Sequence, residues 1–322
     1  MPSAMAPCLA PHPAPCAALV HPTLRHRPGH ALARALLLPL LALGLSACAP
    51  RQLVLGELAD SLANQGQSAE ADPELARDAA AFYLKLSESV LREQPGHLPL
   101  AGAVAGGFTQ YSYAFVAFEA DRLEATDARA AARLRSRAAS LYRRGRDHAL
   151  AALETHRPGL RRQLEGQDIL PPLAPQHIPV AYWAAAAWGG LISLSKDDPD
   201  TVADLPATIR LAQLAWAGNP AYGDGALASL MGSFEAARPG GSRQQAEAYF
   251  DEALRLGAGR NAGAFVAKAE GIAQPAGDKA AFLALLEQAM AVRDAPGSPL
   301  TLSNAVMRRR AEWLIQTADD LF

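Results

Sequence analysis

The sequence is poor in cysteine, with three in 322 residues. Cys8 and Cys16 stand in an N-terminal stretch that we expect to be removed, which leaves Cys48 alone in the mature chain. A single cysteine excludes an intramolecular disulfide, even in a compartment that would permit one. Burial of an apolar core must therefore stabilise the fold, and the remaining chain is long enough for one large domain or two small ones.

Catalytic and metal-binding motifs are also lacking. Beyond residue 47 there is no His-Glu-x-x-His, no cysteine pair, no Gly-x-Ser-x-Gly and no phosphate loop ending in Gly-Lys-Ser/Thr. His148 and His156 are eight residues apart, which is too far for one metal ion on a helix. The acids of residues 195–200 lack the spacing of a calcium loop, so a capped helix start is favoured there over a metal site. We expect neither enzymatic activity nor a cofactor or metal ion.

Basic residues are not in excess. All 32 acidic residues follow residue 47, but three of the 30 basic residues precede it, so the mature chain carries a net charge of −5. That balance lacks the basic footprint of a nucleic-acid-binding protein.

Long apolar runs are absent, and the most apolar segment is short. Residues 35–47 form a run of 13 residues, whereas a spanning helix needs roughly 20. Arg25, Arg27 and Arg34 precede this run, and no acid occurs before residue 48. A basic segment, a short apolar run and small residues predict a secretory signal over residues 1–47. A buried helix with a chance cysteine is the alternative.

The end of this signal is more specific. Leu45-Ser46-Ala47-Cys48 resembles a bacterial lipobox, in which the cysteine is acylated and becomes the first residue. Several acyl chains anchor a protein far more firmly than one. We predict lipidation at Cys48, followed by a tether over residues 48–71. Ala49 follows the cysteine where an aspartate would stand in an inner-membrane lipoprotein, which favours the periplasmic face of the outer membrane.

The rest of the chain, 72–322, has helical periodicity and no convincing strand pattern, so we predict an all-α fold. Asp72-Pro73-Glu74 is a good helix start. Apolar residues then recur at helical spacing and predict the buried face of the first helix: Leu75, Ala79, Phe82, Leu86 and Val90. The segment VAYWAAAAWGGLISL, residues 180–194, is apolar on all sides and predicts a central buried helix.

A third helix is rich in arginine on the faces away from its apolar stripe. These arginines are Arg129, Arg133, Arg135, Arg137, Arg143, Arg144 and Arg146. We expect them to form a solvated face, with an anion site as the alternative.

The C-terminal half contains an internal repeat. Phe250 and Leu286 occupy matching positions of similar segments, at an offset of 36 residues. Tetratricopeptide (TPR) units have a period of about 34 residues, and each unit pairs two antiparallel helices. Ala246, Phe250 and Ala253 supply the small and aromatic residues of a second TPR helix. We predict a TPR-like superhelix of helix pairs, an α-solenoid with a concave surface.

Aromatic residues are scarce, at 6% of the chain, yet several cluster in two segments. Core packing between helices is the simpler explanation. The alternative is an apolar ligand cavity with a few polar groups. The candidate cavity-lining residues are Phe108, Tyr111, Phe115, Tyr182, Trp183 and Trp188.

Four segments together resemble one family. They are GFTQYSYAFVAFEAD, VAYWAAAAWGGLISLSKDDPDTVADLP, AYGDGALASLMGSFEAARPGG and RRRAEWLIQTADDLF, and they look like the T component of TPR-protein-associated TRAP transporters. The resemblance covers about 72–322. It implies a periplasmic lipoprotein of TPR-like helices that forms a homotrimer and binds the solute-binding P component. It further implies an apolar or organic-acid ligand in a hollow of the fold, and it supplies no catalytic residues.

A scaffold lipoprotein in cell-envelope assembly, unconnected to transport, is the alternative function. Composition and periodicity fit both functions, because each needs only a helical superhelix on a lipid anchor.

Overall fold

The computed structural model describes residues 54–64 and 70–322. The predicted signal peptide and Cys48 lie outside the described residues, as do residues 48–53 and 65–69 of the predicted tether. Residues 54–64 of that tether form a helix instead of an extended linker, and its Ala59 and Leu62 are buried in the core. Within the described ranges all regular structure is helical, so the all-α prediction is confirmed. None of the described helices is both long enough and apolar enough to cross a membrane.

The chain first forms nine helices from residue 54 to residue 218. They are α1 (54–64), α2 (Pro73–Glu93), α3 (Leu98–Ser112), α4 (Phe118–Leu123), α5 (Ala128–His156), α6 (Leu160–Glu165), α7 (Ile178–Ser193), α8 (Pro199–Ala203) and α9 (Leu205–Gly218). A π-helical turn, Tyr113–Ala117, joins α3 to α4. A short 3-10 turn, Pro175–His177, precedes α7.

Six further helices complete the chain. They are α10 (Ala226–Ala237), α11 (Arg243–Leu256), α12 (Ala262–Lys268), α13 (Lys279–Ala291), α14 (Thr301–Gln316) and α15 (Ala318–Leu321). A second π-helical turn, Ala269–Ala273, extends α12.

Helix α2 begins where the sequence predicts, but it buries another face. The Asp72 carboxylate accepts hydrogen bonds from the amides of Glu74 and Leu75 and so caps the helix. Leu75 and Phe82 of the predicted buried face are exposed, at 56% and 66% of their surface. The buried residues are Ala76, Leu84, Ser87, Glu88, Val90 and Leu91. The prediction of this face is confirmed at Val90 and wrong at Leu75, Phe82 and Leu86, because α2 turns the side that carries Leu84 and Glu88 towards the core.

Helices α3, α5 and α7 pack against one another and form the core of the N-terminal part. The prediction of a buried helix at residues 180–194 is confirmed by α7, where Ala184 and Leu191 are fully buried. Glycines let the helices approach closely. A β-carbon at Gly106 of α3 would lie 2.8 Å from the Trp183 ring, and one at Gly190 of α7 would lie 2.6 Å from the Tyr142 ring.

The C-terminal part consists of helices that pack with their neighbours in sequence. Helix α10 packs with α11, and α12 packs with α13. Phe250 of α11 and Leu286 of α13 are both completely buried, as the repeat predicts. Helix α14 then returns to the N-terminal part, where Arg309 forms an ion pair with Glu74 of α2 at 2.9 Å.

Candidate functional site

A cavity lies among the N-terminal helices of the described residues. Its volume is about 570 Å³, within the roughly 300–1,000 Å³ typical of ligand pockets. Helices α2 and α3 form its longer walls, and α1, α7 and α14 each contribute to its lining. Gln110 and Tyr83 are exposed and lie on its solvent side.

The lining is mainly apolar and carries no charged residue. Leu62, Leu84 and Leu302 contribute aliphatic surface from α1, α2 and α14. The polar groups are the side chains of Ser87, Gln110, Tyr83 and Tyr111. This chemistry suits a ligand with a large apolar part and few hydrogen-bonding groups.

Two adjacent glycines of α3 allow side chains of neighbouring helices to pack closely against α3 at the cavity wall. Gly106 lets the Trp183 ring lie directly on the α3 backbone. A β-carbon at Gly107 would come within 3.0 Å of Leu84 on α2. The glycine cluster of residues 102–107 therefore serves close helix packing, and no strand precedes it as a phosphate loop would require.

Three of the six candidate aromatics line this cavity: Tyr111, Phe115 and Trp183. The other three do not. Phe108 is buried in the core beneath Arg144, and the Trp188 indole donates a hydrogen bond to Asp204 at 2.9 Å. Tyr182 packs behind Trp183, with ring centroids 4.8 Å apart, and burial raises the pKa of its hydroxyl.

The π-helical turn separates four aromatics that follow one another at helical spacing in the sequence. Phe108, Tyr111, Phe115 and Phe118 share a face only if the helix is regular from α3 to α4. The wider turn Tyr113–Ala117 shifts the register, so Tyr111 and Phe115 line the cavity, whereas Phe118 packs on Trp313 of α14.

A buried carboxylate stands next to the cavity. Glu88 follows the lining residue Ser87 and is completely buried. Lys85 donates to it at 2.6 Å, His148 contacts it at 2.8 Å, and Arg144 of α5 binds both carboxylate oxygens. Burial alone raises the pKa of Glu88, but hydrogen bonds from Arg144, Lys85 and His148 outweigh it and lower the pKa to about 2. Glu88 therefore remains charged at neutral pH.

A second charged cluster joins α4 to two segments of the C-terminal part, the second π-helical turn and α14. Arg310 of α14 binds Glu270 of the second π-helical turn and Asp121 of α4, the latter at 3.1 Å. Its guanidinium also lies 5.5 Å from the ring centres of Tyr113 and Phe118. This cluster holds α14, and with it the lining residue Leu302, against the N-terminal helices.

Two histidines of the described part of the chain lie side by side. His156 and His177 have ring centroids 5.6 Å apart, and His156 contacts the carbonyl oxygen of Gly96. Burial lowers the pKa of His177, and His156 and Arg157 lower it further. Among residues 54–64 and 70–322, no three His, Cys, Asp or Glu side chains stand close enough together to hold a metal ion.

Several cavity residues cannot be recognised from the sequence, because they are far apart in the chain and share no local pattern. Leu62 and Leu302 are 240 positions apart, and neither is aromatic. Tyr83 could have been found from the sequence, since it is an aromatic residue next to Phe82 in the middle of the α2 pattern.

Comparison with known proteins identifies the family of the chain. The family model described as TRAP transporter T-component matches residues 69–322. An uncharacterised protein of Treponema pallidum (strain Nichols) is 27% identical over 265 residues, which are 79% of this chain and 81% of that protein. The family match covers nearly all of the described residues, and so the chain belongs to the TRAP transporter T-component family.

Proposed function

We propose that the protein is a periplasmic accessory subunit of a TRAP transporter and binds the solute-binding P component. The observation that carries the proposal is the family match over residues 69–322, which supports an accessory role in TRAP transport. A helical chain with a cavity and no recognised catalytic motif is compatible with a binding role rather than an enzymatic one. Envelope scaffolding, unconnected to transport, is the competing outcome of the test.

The cavity supplies the second part of the proposal, a ligand that is apolar or an organic acid with a large apolar part. Its size and its Leu, Phe and Trp lining support the apolar portion. Ser87, Gln110 and the two tyrosines offer a few hydrogen bonds to a polar end.

Filling the cavity tests this part directly. Ala103 of α3 lines the cavity, whereas Ala280 of α13 is an exposed alanine away from it. The neutral fluorescent probe N-phenyl-1-naphthylamine should bind the wild-type protein and the Ala280→Phe variant with equal affinity. Its affinity should fall at least about tenfold in Ala103→Phe, because the new ring occupies the ligand volume. Equal binding by all three proteins contradicts a ligand role for the cavity.

The membrane anchor is the third part. We propose lipidation of Cys48 and residence on the periplasmic face of the outer membrane, on the grounds of the lipobox-like sequence. The Cys48→Ser variant should remain uncleaved and incorporate no labelled fatty acid. Normal labelling of that variant rules out the lipoprotein assignment.

The fold and assembly form the fourth part. The side-by-side pairs α10–α11 and α12–α13, with Phe250 and Leu286 at equivalent buried positions, support a TPR-like superhelix. We propose a homotrimer, as the family resemblance implies. Analytical ultracentrifugation of the purified mature protein at micromolar concentration should give a species of three chains, and a monomer under these conditions contradicts the assembly.

Partnership is tested best in intact cells, because periplasmic encounters can have modest interfaces. A photo-crosslinking residue at Gln110, beside the cavity, should capture the cognate solute-binding protein when both are expressed. The same residue at the exposed Ala280 serves as the control position. If envelope-assembly proteins are captured at Gln110 and the solute-binding protein is not, the scaffold function is correct.

A further inference from the structure

A row of exposed arginines on α5 has no acidic partners. Arg129, Arg133 and Arg137 follow one another at spacings of four residues, so they lie on one side of the helix. All three are exposed, and none forms an ion pair with another described residue. Arg144 continues this side of α5, and Lys85 and Arg92 of α2 join it through Glu88. We call these six residues the cationic face.

The cationic face contains almost no compensating negative charge. Among the acids of residues 54–64 and 70–322, Glu88 is the one carboxylate with which its members form ion pairs, and it is completely buried beneath them. On the same helix Arg135 pairs with Asp121 and Glu124, and on α14 Arg310 pairs with Asp121 and Glu270. The row differs from these arginines because it places three unpaired guanidinium groups in succession on one side of α5.

The stability of α5 does not explain the row. Like charges four residues apart on a helix destabilise it by about 0.2–0.5 kcal/mol for each pair. Arg129 also lies in the first turn, where the helix dipole is positive and acidic residues are favoured. The Asp127 carboxylate caps the helix by accepting a hydrogen bond from the Ala130 amide, but no acid stands within that turn beside Arg129. A binding role accounts for arginines that the helix itself disfavours.

Two arginines of the cationic face are held in place by aromatic rings. Arg137 lies 6.0 Å from the ring centre of Tyr111, and Arg144 lies 5.0 Å from that of Phe108. A guanidinium that is already positioned loses less conformational freedom when it binds a carboxylate. Tyr111 also lines the cavity, so the cationic face adjoins the candidate ligand site.

We propose that the cationic face binds an acidic surface of the solute-binding protein, in a docking that rests on the function proposed above. Successive arginines are about 6 Å apart along the α5 axis, the spacing at which carboxylates repeat on one side of a helix. A membrane surface is the less suitable partner. Helices that lie on membranes bury Leu, Phe or Trp beside their basic residues, whereas Ala132, Ser136 and Ser140 stand between these arginines.

Charge reversal tests the docking with purified proteins. The triple variant Arg129→Glu, Arg133→Glu, Arg137→Glu should raise the Kd for the solute-binding protein by about tenfold or more, since each lost pair also becomes a repulsion. The control variant Arg161→Glu, Arg162→Glu, Arg293→Glu changes the net charge equally at exposed arginines outside the cationic face. Its Kd should stay within about threefold of the wild-type value. Circular dichroism and melting curves check that both variants fold.

The outcomes separate this docking from the proposed function. If wild type and triple variant bind the solute-binding protein equally, the docking is overturned and the function stands.

A synthetic helical peptide with glutamates at i, i+4 and i+8 is the second probe. If wild type binds this peptide but not the solute-binding protein, and the triple variant binds neither, the function fails and the acidic-protein site stands. Arginine-dependent binding only to phosphatidylglycerol-containing vesicles overturns the docking in favour of a membrane surface, and absence of all binding overturns it outright.

Discussion

The N-terminal helices and the C-terminal helix pairs differ in the kinds of side chain that they bury. Between residues 226 and 291 every buried side chain is apolar, with Phe250, Phe282 and Leu286 completely enclosed. The N-terminal helices instead bury Glu88, Thr109 and Ser112 and surround a cavity of about 570 Å³. Cavities and buried charges reduce stability unless they are compensated. The contrast is in keeping with the function proposed above, in which the N-terminal helices contact the ligand or partner and the C-terminal pairs support them.

The largest effect should come from emptying the C-terminal core. Phe250→Ala should lower the free energy of unfolding by about 3–5 kcal/mol, because the ring is fully buried and tightly packed. Leu286→Ala, at the equivalent position of the next pair, should cost about 2–5 kcal/mol. Urea denaturation measures both. Losses below about 0.5 kcal/mol at both positions contradict their equivalence as core positions.

The buried carboxylate should give the next largest effect. Glu88→Gln removes the charge that holds Lys85, Arg92, Arg144 and His148 together, and breaking a buried ion pair costs about 3–5 kcal/mol. We expect about 3 kcal/mol in urea denaturation, because three of these partners remain partly in water. Glu119→Gln, which breaks the exposed pair with Arg122, is the matched control and should cost less than about 1 kcal/mol.

The same carboxylate predicts a pH dependence. The pKa of Glu88 falls from its ordinary value of 4.5 to about 2 in the folded protein. Its stabilisation is therefore complete above pH 4.5 and is lost as the pH falls from there towards 2. Unfolding free energies measured between neutral pH and pH 3 should decline more steeply for wild type than for Glu88→Gln. Parallel curves for the two proteins are incompatible with a lowered Glu88 pKa.

The two regions also differ in how well the sequence predicts them. In the C-terminal part each helix packs mainly on its neighbours in the chain, so local periodicity identifies Phe250 and Leu286 as buried. In α2 the same rule selects Leu75 and Phe82, which are exposed. Burial of the opposite side depends on Arg144, which is 56 residues away and compensates Glu88. Periodicity carries no information about such a distant pairing.

The sequence identifies only part of the cavity lining, again because local patterns carry no information about distant contacts. Aromatic clustering drew attention to Tyr111, Phe115 and Trp183, which line the cavity, but also to Phe108 and Trp188, which do not. The division follows from the π-helical turn and from the crossing of α3 with α7. Both depend on tertiary packing. The aliphatic lining comes from helices at opposite ends of the described chain, and no local pattern connects them.

A smaller effect should distinguish a cavity ring from a core ring within one segment. Phe115 lines the cavity and is half-buried, whereas Phe108 is 1% exposed. Phe115→Ala should cost about 1 kcal/mol, since it removes a ring that already faces open space. Phe108→Ala should cost about 3–5 kcal/mol as the matched control. The difference between their urea midpoints checks the assignment, and equal losses show that Phe115 is a core residue.

The smallest effect is expected on the exposed side of α2. Phe82 is 66% exposed, so Phe82→Ser should change the free energy of unfolding by no more than about 0.5 kcal/mol. Leu84 is two residues away and 9% exposed, and Leu84→Ala should cost about 2–3 kcal/mol. Urea denaturation of both variants at several protein concentrations makes the comparison sharp. In an isolated chain the Phe82 variant should match wild type at every concentration. If the variant instead loses about 2 kcal/mol of unfolding free energy, and this loss grows with protein concentration, another molecule covers this side of α2 in the native assembly.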